Sequence, residues 1–393
     1  CCCMERKSEV NHIAILTSHP IQYQAPFFEA LAKDERISPV VYFVQNIGVD
    51  RPMFDSEFGR EVRWDLPLLR GYSHVFLRGW WSFVTELYRN RPQSLLVLGW
   101  NSFYTWIGFA AAKLLGISFW VRGENPLSQE PKKLSALRRA KRGLLRLLFR
   151  NTDRFLYIGN ENKKFYDHMG ASKDRLFFVP YAVDNERLFR AAEAYKNKKS
   201  DLRVKYGIPN DAIVILFAGK LISKKRPEDL LRAYAGVAER TSGGTITALV
   251  YAGDGALADD LQNIVKEEKI PNVFFLGFRN QTELPECYAM ADIFVLPSGI
   301  GETWGLVVNE AMCFGLPVII SDIVGSGTDL VHEGENGHIV PCGNAAALER
   351  AITELVESRS LRIEYGKKSV EIVSGYGFAA DIDGMRRAYE TRK

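Results

Sequence analysis

Short apolar runs bounded by loop residues recur along the chain. Ile13–Thr17, Val40–Val44, Leu95–Leu98, Ser118–Val121, Phe155–Ile158 and Leu176–Val179 each read as a strand. Ala25–Ala32, Phe103–Leu115 and Leu134–Phe149, between them, read as helices. Near-continuous apolar strands joined by helical crossovers require a parallel sheet covered on both faces. The pattern breaks at Arg190–Ser200, RAAEAYKNKKS, which is polar and basic. It restarts with strands at Ile213–Phe217, Thr247–Tyr251, Val273–Leu276, Ile293–Leu296 and Val318–Ile320. Helices are expected at Pro227–Glu239, Leu257–Glu267, Leu284–Ala289, Leu306–Phe314 and Ala345–Val356. The fold class is therefore α/β, with two doubly wound halves at 1–190 and 191–375. A last helix within 376–393 is expected to cross back to the first half. Ligands of such sheets bind beyond the carboxyl ends of the strands, so a site is expected in a cleft between the halves.

The length of 393 residues suits two domains better than one open sheet. Hydrophobic content of 47% and charged content of 25% are ordinary for a globular protein. The net charge of +4 is mild, and nucleic acid is not expected as a partner. Cys1, Cys2 and Cys3 precede Met4 and are set aside; Cys287, Cys313 and Cys342 lack metal-ligand spacing. Free thiols point to a reducing compartment. No apolar stretch reaches the roughly 18 residues of a membrane span, and no signal pattern follows Met4. A cytoplasmic protein without a metal or resident cofactor is expected.

The most informative run is GETWGLVVNEAMCFGLPVIISD, with Glu302 and Glu310 eight positions apart. Gly301 and Gly305 bracket the first carboxylate in a tight loop. Glu302 then lies just before a helix N-terminus and Glu310 one turn inside. Free amides and the dipole at such a terminus attract phosphate, and flanking carboxylates can bind sugar hydroxyls. A second cluster, AGKLISKKRPEDLL, follows the strand Ile213–Phe217. After Gly219 it sets Lys220, Lys224, Lys225 and Arg226 before a helix opened by Pro227. These cations form a natural diphosphate site, although the Walker A pattern is absent. The turn VYAGDGAL, with Gly253, permits close backbone approach to a ligand. LGFRNQTEL places Phe278 and Arg279 where a nucleobase could rest. Plain βα turns would look the same at these last two places.

Taken in order, GKLISKKRPEDLL, YAGDGAL, FLGF, YAMADIFVLPS and ETWGLVVNEAMCFGLPVI resemble the second domain of retaining GT-B glycosyltransferases, glycosyltransferase family four (glycosyl transferases group one). The resemblance covers nearly all of 213–373. It implies two Rossmann-like domains, a nucleoside diphosphate sugar donor held mainly by the second, and retention of configuration without a metal. Carried over, Glu310 would bond the ribose and Glu302 the donor sugar hydroxyls. Thr303, Trp304, Gly305 and Leu306 would line the phosphates, with Lys220 and Lys225 on the diphosphate. Lys220 departs from the family's usual arginine and loses its bidentate fork; Arg226 replaces a usual glycine. A UDP-sugar is favoured over a GDP-sugar.

In the first half, TSHPIQYQAPFFEAL is similar to the opening of a subgroup of these transferases, with His19, Gln22 and Tyr23 facing the cleft. RGENP puts Arg122, Glu124 and Asn125 at a strand end. Arg122, Glu124 and His19 are catalytic candidates beside Glu302, Lys220 and Lys225, and Gln22, Tyr23 and Asn125 belong to the acceptor side. Tyr181 and Asp184, in VPYAVD, are expected to be hinge-like. Residues 132–150, KKLSALRRAKRGLLRLLFR, hold eight Lys or Arg and no acid. Their leucines form an apolar side, a candidate surface for anionic membrane and a peripheral location. Trp80 and Trp81 read as core in preference to an interfacial anchor. A saccharide or lipid-linked acceptor, in surface polysaccharide synthesis, suits this picture. The rival readings are an epimerase or phosphorylase of the same fold, and a non-catalytic sensor of sugar nucleotides.

Overall fold

A computed structural model describes residues 10–49, 53–55, 60–131, 135–241 and 243–391. Cys1–Cys3 and the start of the basic run, residues 132–134, lie outside the described residues. In chain order the strands are β1 (Asn11–Thr17), β2 (Ile37–Phe43), β3 (Met53–Asp55), β4 (Arg60–Val62), β5 (Ser73–Phe76), β6 (Ser94–Leu98), β7 (Ser118–Arg122), β8 (Arg154–Tyr157) and β9 (Leu176–Phe178). They continue with β10 (Ile213–Ala218), β11 (Thr247–Ala252), β12 (Val273–Gly277), β13 (Ile293–Leu296), β14 (Val318–Ser321) and β15 (Gly337–Val340). Two compact units result. The first comprises Cys1–Pro52, Pro67–Tyr181 and Phe378–Lys393, the second Met53–Leu66 and Ala182–Gly377.

The first unit is built on a parallel sheet of order β5-β2-β1-β6-β7-β8-β9. Ile15 of β1 sits opposite Val41 on one side and Leu96 on the other, and all three are fully buried. The apolar runs are thus central strands with both faces covered. The second unit has a parallel sheet of order β12-β11-β10-β13-β14-β15. Every residue of β11 is buried, as is every residue of β13 and β14. In each sheet the chain winds outward in one direction, then returns beside its first strand. That reversal makes β1/β6 and β10/β13 the switch points, where ligand crevices form.

Several expectations change. The chain passes between units at 181/182 rather than 190/191, and the segment Met53–Leu66 joins the second unit. The polar run at 190–200 is no linker. It belongs to the helices Asn185–Tyr195 and Lys199–Lys205, whose outer faces are wet. Asp184 caps the first of them by accepting from Arg187 N at 3.0 Å. Edge strands β5 and β15, SHVF and GHIV, escaped notice because His and Gly interrupt their apolar character. The helices Trp80–Asn90, Asn160–His168 and Arg359–Ser374 were also unread.

The last helix, Phe378–Glu390, belongs to the first unit. Its Tyr389 ring lies 4.6 Å from that of Trp120, and its Asp381 pairs with Arg122 at 3.2 Å. Burial raises the Asp381 carboxyl to about 7, while the guanidinium opposes that rise.

Candidate functional site

In the second unit, the carboxyl ends of β10 and β13 bring the two signature loops together. The β10 loop turns at Gly219 (φ 144°) and carries Lys220 and Lys225. A side chain at Gly253, after β11, would place its Cβ 1.8 Å from the Gly219 carbonyl oxygen, so this backbone pair needs glycine. The β13 loop runs from Ser298 to Gly305, where φ of 90° starts the helix Leu306–Cys313. No side chain caps that helix; Val308 N already donates to Gly305 O at 2.8 Å, which leaves the amides before it to meet an anion.

Backbone and side-chain bonds to neighbouring segments hold the β13 loop. Gly299 N donates to Lys224 O at 2.7 Å, which ties the loop to the β10 loop. Gly325 N reaches Glu302 O and Ser326 N reaches Trp304 O, each at 3.2 Å. Ser321 Oγ donates to Ser298 O. The Glu302 carboxylate is 7% exposed and accepts from Lys225 Nζ and, at 3.0 Å, from Ser298 Oγ. A buried acid and ammonium therefore meet at the switch point, each neutralising the other's desolvation cost.

Lys220 has another partner. Its Nζ lies 3.0 and 2.8 Å from the two oxygens of Asp55, on β3. The same segment is pinned elsewhere: Asn280 Nδ2 donates to Arg63 O at 2.8 Å and Thr282 N to Asp65 Oδ2 at 2.9 Å. Trp64 lies 6.4 Å from the ring of Phe278, the expected nucleobase wall. Sequence reasoning missed Asp55 entirely, because its partner is 165 positions away.

Glu310 is 1% exposed. It accepts from Tyr288 Oη at 2.6 Å and from Gln281 Nε2 at 3.3 Å. The Trp304 ring is buried with Nε1 donating to Asn309 Oδ1 at 2.9 Å, so only its backbone can meet a phosphate. Thr303 precedes it, and Gly305 and Leu306 follow it around the turn. Arg279 does not offer an idle guanidinium. It pairs with Glu283, donates to Leu276 O at 2.8 Å and covers the Tyr206 ring at 5.3 Å.

The first unit has its own cavity, about 220 Å³, at the carboxyl ends of β6 and β7. Arg122, Glu124 and Asn125 line it together with Gln24, Trp100 and Tyr181. The Arg122 charge is also engaged within the fold. Its Nη2 donates to Pro180 O at 2.6 Å and to Asp381 Oδ1 at 3.2 Å, and its plane covers Phe27 at 5.2 Å. Glu124 instead hydrogen-bonds the Tyr181 hydroxyl, whose pKa burial drives upward. His19, Gln22 and Tyr23 follow β1 but do not line this cavity. His19 Nδ1 lies 3.0 Å from Ser18 Oγ, and burial lowers its pKa. Gln22 Oε1 is buried without a partner among the described residues.

The basic helix spans Ala136–Arg150, capped by Ser135. Leu148 and Phe149 are buried, whereas Leu137, Leu144 and Leu147 are 67%, 50% and 56% exposed. The Trp80 and Trp81 rings, at the start of the helix Trp80–Asn90, stack at 4.2 Å and are exposed rather than core. No helix of the described residues is long and apolar enough to cross a membrane, and no metal-ligand cluster occurs among them.

Residues 198–371 match the family model of glycosyl transferases group 1. A D-inositol 3-phosphate glycosyltransferase of Corynebacterium glutamicum (strain R) is 30% identical over 233 residues, 58% of this chain and 54% of that protein. The chain spans about half the length of the first such relatives it matches. The UDP-Gal:alpha-D-GlcNAc-diphosphoundecaprenol alpha-1,3-galactosyltransferase of Escherichia coli is 25% identical over 287 residues, 72% of each chain. Among solved structures, Anabaena Alr3699/HepE in complex with UDP superposes with a TM-score of 0.75 at 15% identity, covering 98% of this chain and all of that one. These folds share the two parallel-sheet α/β domains described here.

Proposed function

We propose that this chain, whose residues 198–371 match the family model of glycosyl transferases group 1, moves a sugar from a nucleoside diphosphate sugar to a hydroxyl of a saccharide or lipid-linked acceptor. The observation that carries this reading is the meeting of Lys225, Glu302 and an uncapped helix N-terminus at the β10/β13 switch point. Breaking the anomeric bond builds negative charge on the departing diphosphate. Lys220, Lys225 and the Leu306 amides stabilise it, and Glu302 holds donor sugar hydroxyls. No metal is invoked in this scheme. A UDP-sugar is the favoured donor, supported by the UDP and UDP-glucose complexes of the Anabaena neighbour. The scheme retains anomeric configuration, with attack on the face the diphosphate leaves and a phosphate oxygen taking the acceptor proton. Incubation with labelled UDP- and GDP-sugars tests it. Transfer with retention is expected; an inverted product removes the retaining scheme, and binding without turnover favours the sensor.

Asp55 carries a prediction of its own. A diphosphate that uses Lys220 must displace this carboxylate. Asp55→Asn is expected to tighten UDP binding several-fold, up to roughly tenfold, by calorimetry. Weaker binding would instead make Asp55 the group that positions Lys220.

We also propose that the helix Ala136–Arg150 rests on anionic lipid. Its exposed Leu137, Leu144 and Leu147 alternate with exposed Arg138, Arg139, Lys141 and Arg146, the composition of an interfacial helix. Flotation with phosphatidylglycerol vesicles is expected to carry the protein, whereas phosphatidylcholine vesicles leave it behind. Equal partition would remove this peripheral location.

A further inference from the structure

The amino edge of the second sheet, opposite the switch-point loops, holds a cavity that sugar transfer does not use. It encloses about 330 Å³, within the range of small-molecule sites. Its walls are the segments entering β13 and β14, the start of the helix Lys199–Lys205 and the first turn of the helix Arg359–Ser374. One side is apolar, with the Tyr288 and Phe314 rings 5.5 Å apart and Ile363 beside them.

The charge there is unbalanced. Three of the four charged side chains lining the cavity are cations: Lys199, Arg359 and Arg362. The single acid, Asp292, is already shared. It receives Lys199 Nζ and Arg203 Nη2 at 2.6 Å each and Val214 N at 2.7 Å. Arg362 gives Nη1 to the Leu355 and Val356 carbonyls, at 2.5 and 2.8 Å, which leaves the rest of its fork. Arg359 has no ion-pair partner among the described residues. Burial pushes the Lys199 ammonium and the Arg362 guanidinium below their usual pKa values, and Arg359 adds repulsion to Arg362. The N-terminal dipole of the helix Arg359–Ser374 adds further positive potential. Cations held together against desolvation and mutual repulsion are costly unless an anion joins them.

We propose that this cavity binds a phosphate-bearing small molecule, with its phosphate on Arg359, Arg362 and Lys199 and its body against Tyr288, Phe314 and Ile363. The site lies apart from Lys220 and Lys225, which are at the other edge of the sheet, although Tyr288 also donates its hydroxyl to Glu310. The test is calorimetric titration of the full chain with glucose 6-phosphate and with inorganic phosphate, at ionic strength fixed by sodium chloride. Three proteins are compared: the wild type, a Lys220→Ala/Lys225→Ala variant and Arg359→Glu. Wild type and the double lysine variant are expected to bind the hexose phosphate alike. Arg359→Glu is expected to weaken binding at least about tenfold, and Arg359→Lys to recover part of it. Arg359 is exposed, so its replacement leaves the fold intact. Equal affinity for inorganic phosphate would make free phosphate the ligand; tighter hexose phosphate binding would credit the apolar wall. Absence of binding to the wild type, its loss in the double lysine variant, or its survival in Arg359→Glu would each overturn the proposal.

Discussion

Lys225→Ala is expected to lower kcat for sugar transfer by about 100- to 1,000-fold with donor saturating. The ammonium sits against Glu302, and both side chains are mostly buried, 15% and 9% exposed. Its charge in this desolvated place acts on the diphosphate as the glycosidic bond breaks, when negative charge on the leaving oxygen is greatest. A contact stronger in the transition state than in the bound donor changes kcat more than KM. Removing the lysine also leaves Glu302 buried without its ion pair, and a fall in Tm accompanies the loss. That fall alone would not establish a catalytic role, so the KM-against-kcat split decides. Glu302→Gln keeps an acceptor for Ser298 but removes the charge, and relieves Lys225 of its partner. It is expected to weaken recognition of the donor sugar while leaving affinity for free UDP nearly unchanged. A Lys225→Ala enzyme that turns over within about threefold of wild type would refute the assignment.

What could be read from the sequence was local. Gly301, Gly305 and the apolar helix that follows them are neighbours in the chain, so spacing alone placed Glu302 beside a helix start. Central strands were legible for a similar reason, since burial on both faces makes them continuously apolar. The edge strands β5 and β15 carry no such signal, whereas β9 and β12, also at sheet edges, keep an apolar run. Long-range pairing was invisible. Asp55 lies on a strand of three residues, and nothing in its surroundings points to Lys220. Arg122 stands at a strand end, where charge suggests chemistry, but its partner Asp381 comes from a helix 259 positions later. Glu310 was read as lying one turn inside the apolar helix, where the fold buries it. Its donors, Tyr288 and Gln281, sit on other elements and could be supplied only by the fold.

Gly325→Ala tests whether the β13 loop is held as rigidly as its contacts imply. A Cβ at this position would fall 1.8 Å from Thr303 O and 2.5 Å from Thr303 C. Those are backbone atoms, so no side-chain rotation can relieve the clash, and the loop itself must move. The same residue donates its N–H to Glu302 O, and Ser326 reaches Trp304 O. Displacing this strap shifts Glu302 away from Lys225 and alters the start of the helix Leu306–Cys313. The expected cost is about 3 kcal/mol or more, at the upper end of overpacking in well-filled sites. A lowered Tm should therefore accompany a loss of kcat/KM of at least about 100-fold, because a displacement near 1 Å at the reacting groups has that consequence. Gly253→Ala meets the Gly219 carbonyl oxygen at 1.8 Å and should behave alike through the β10 loop. Gly244→Ala is the control. Nothing lies within 4 Å of its Cβ, and its expected effect is within about 0.5 kcal/mol. If Gly325→Ala matched that control in both Tm and activity, the loop would be free to move aside, and the rigid pairing of Glu302 with Lys225 would lose its support.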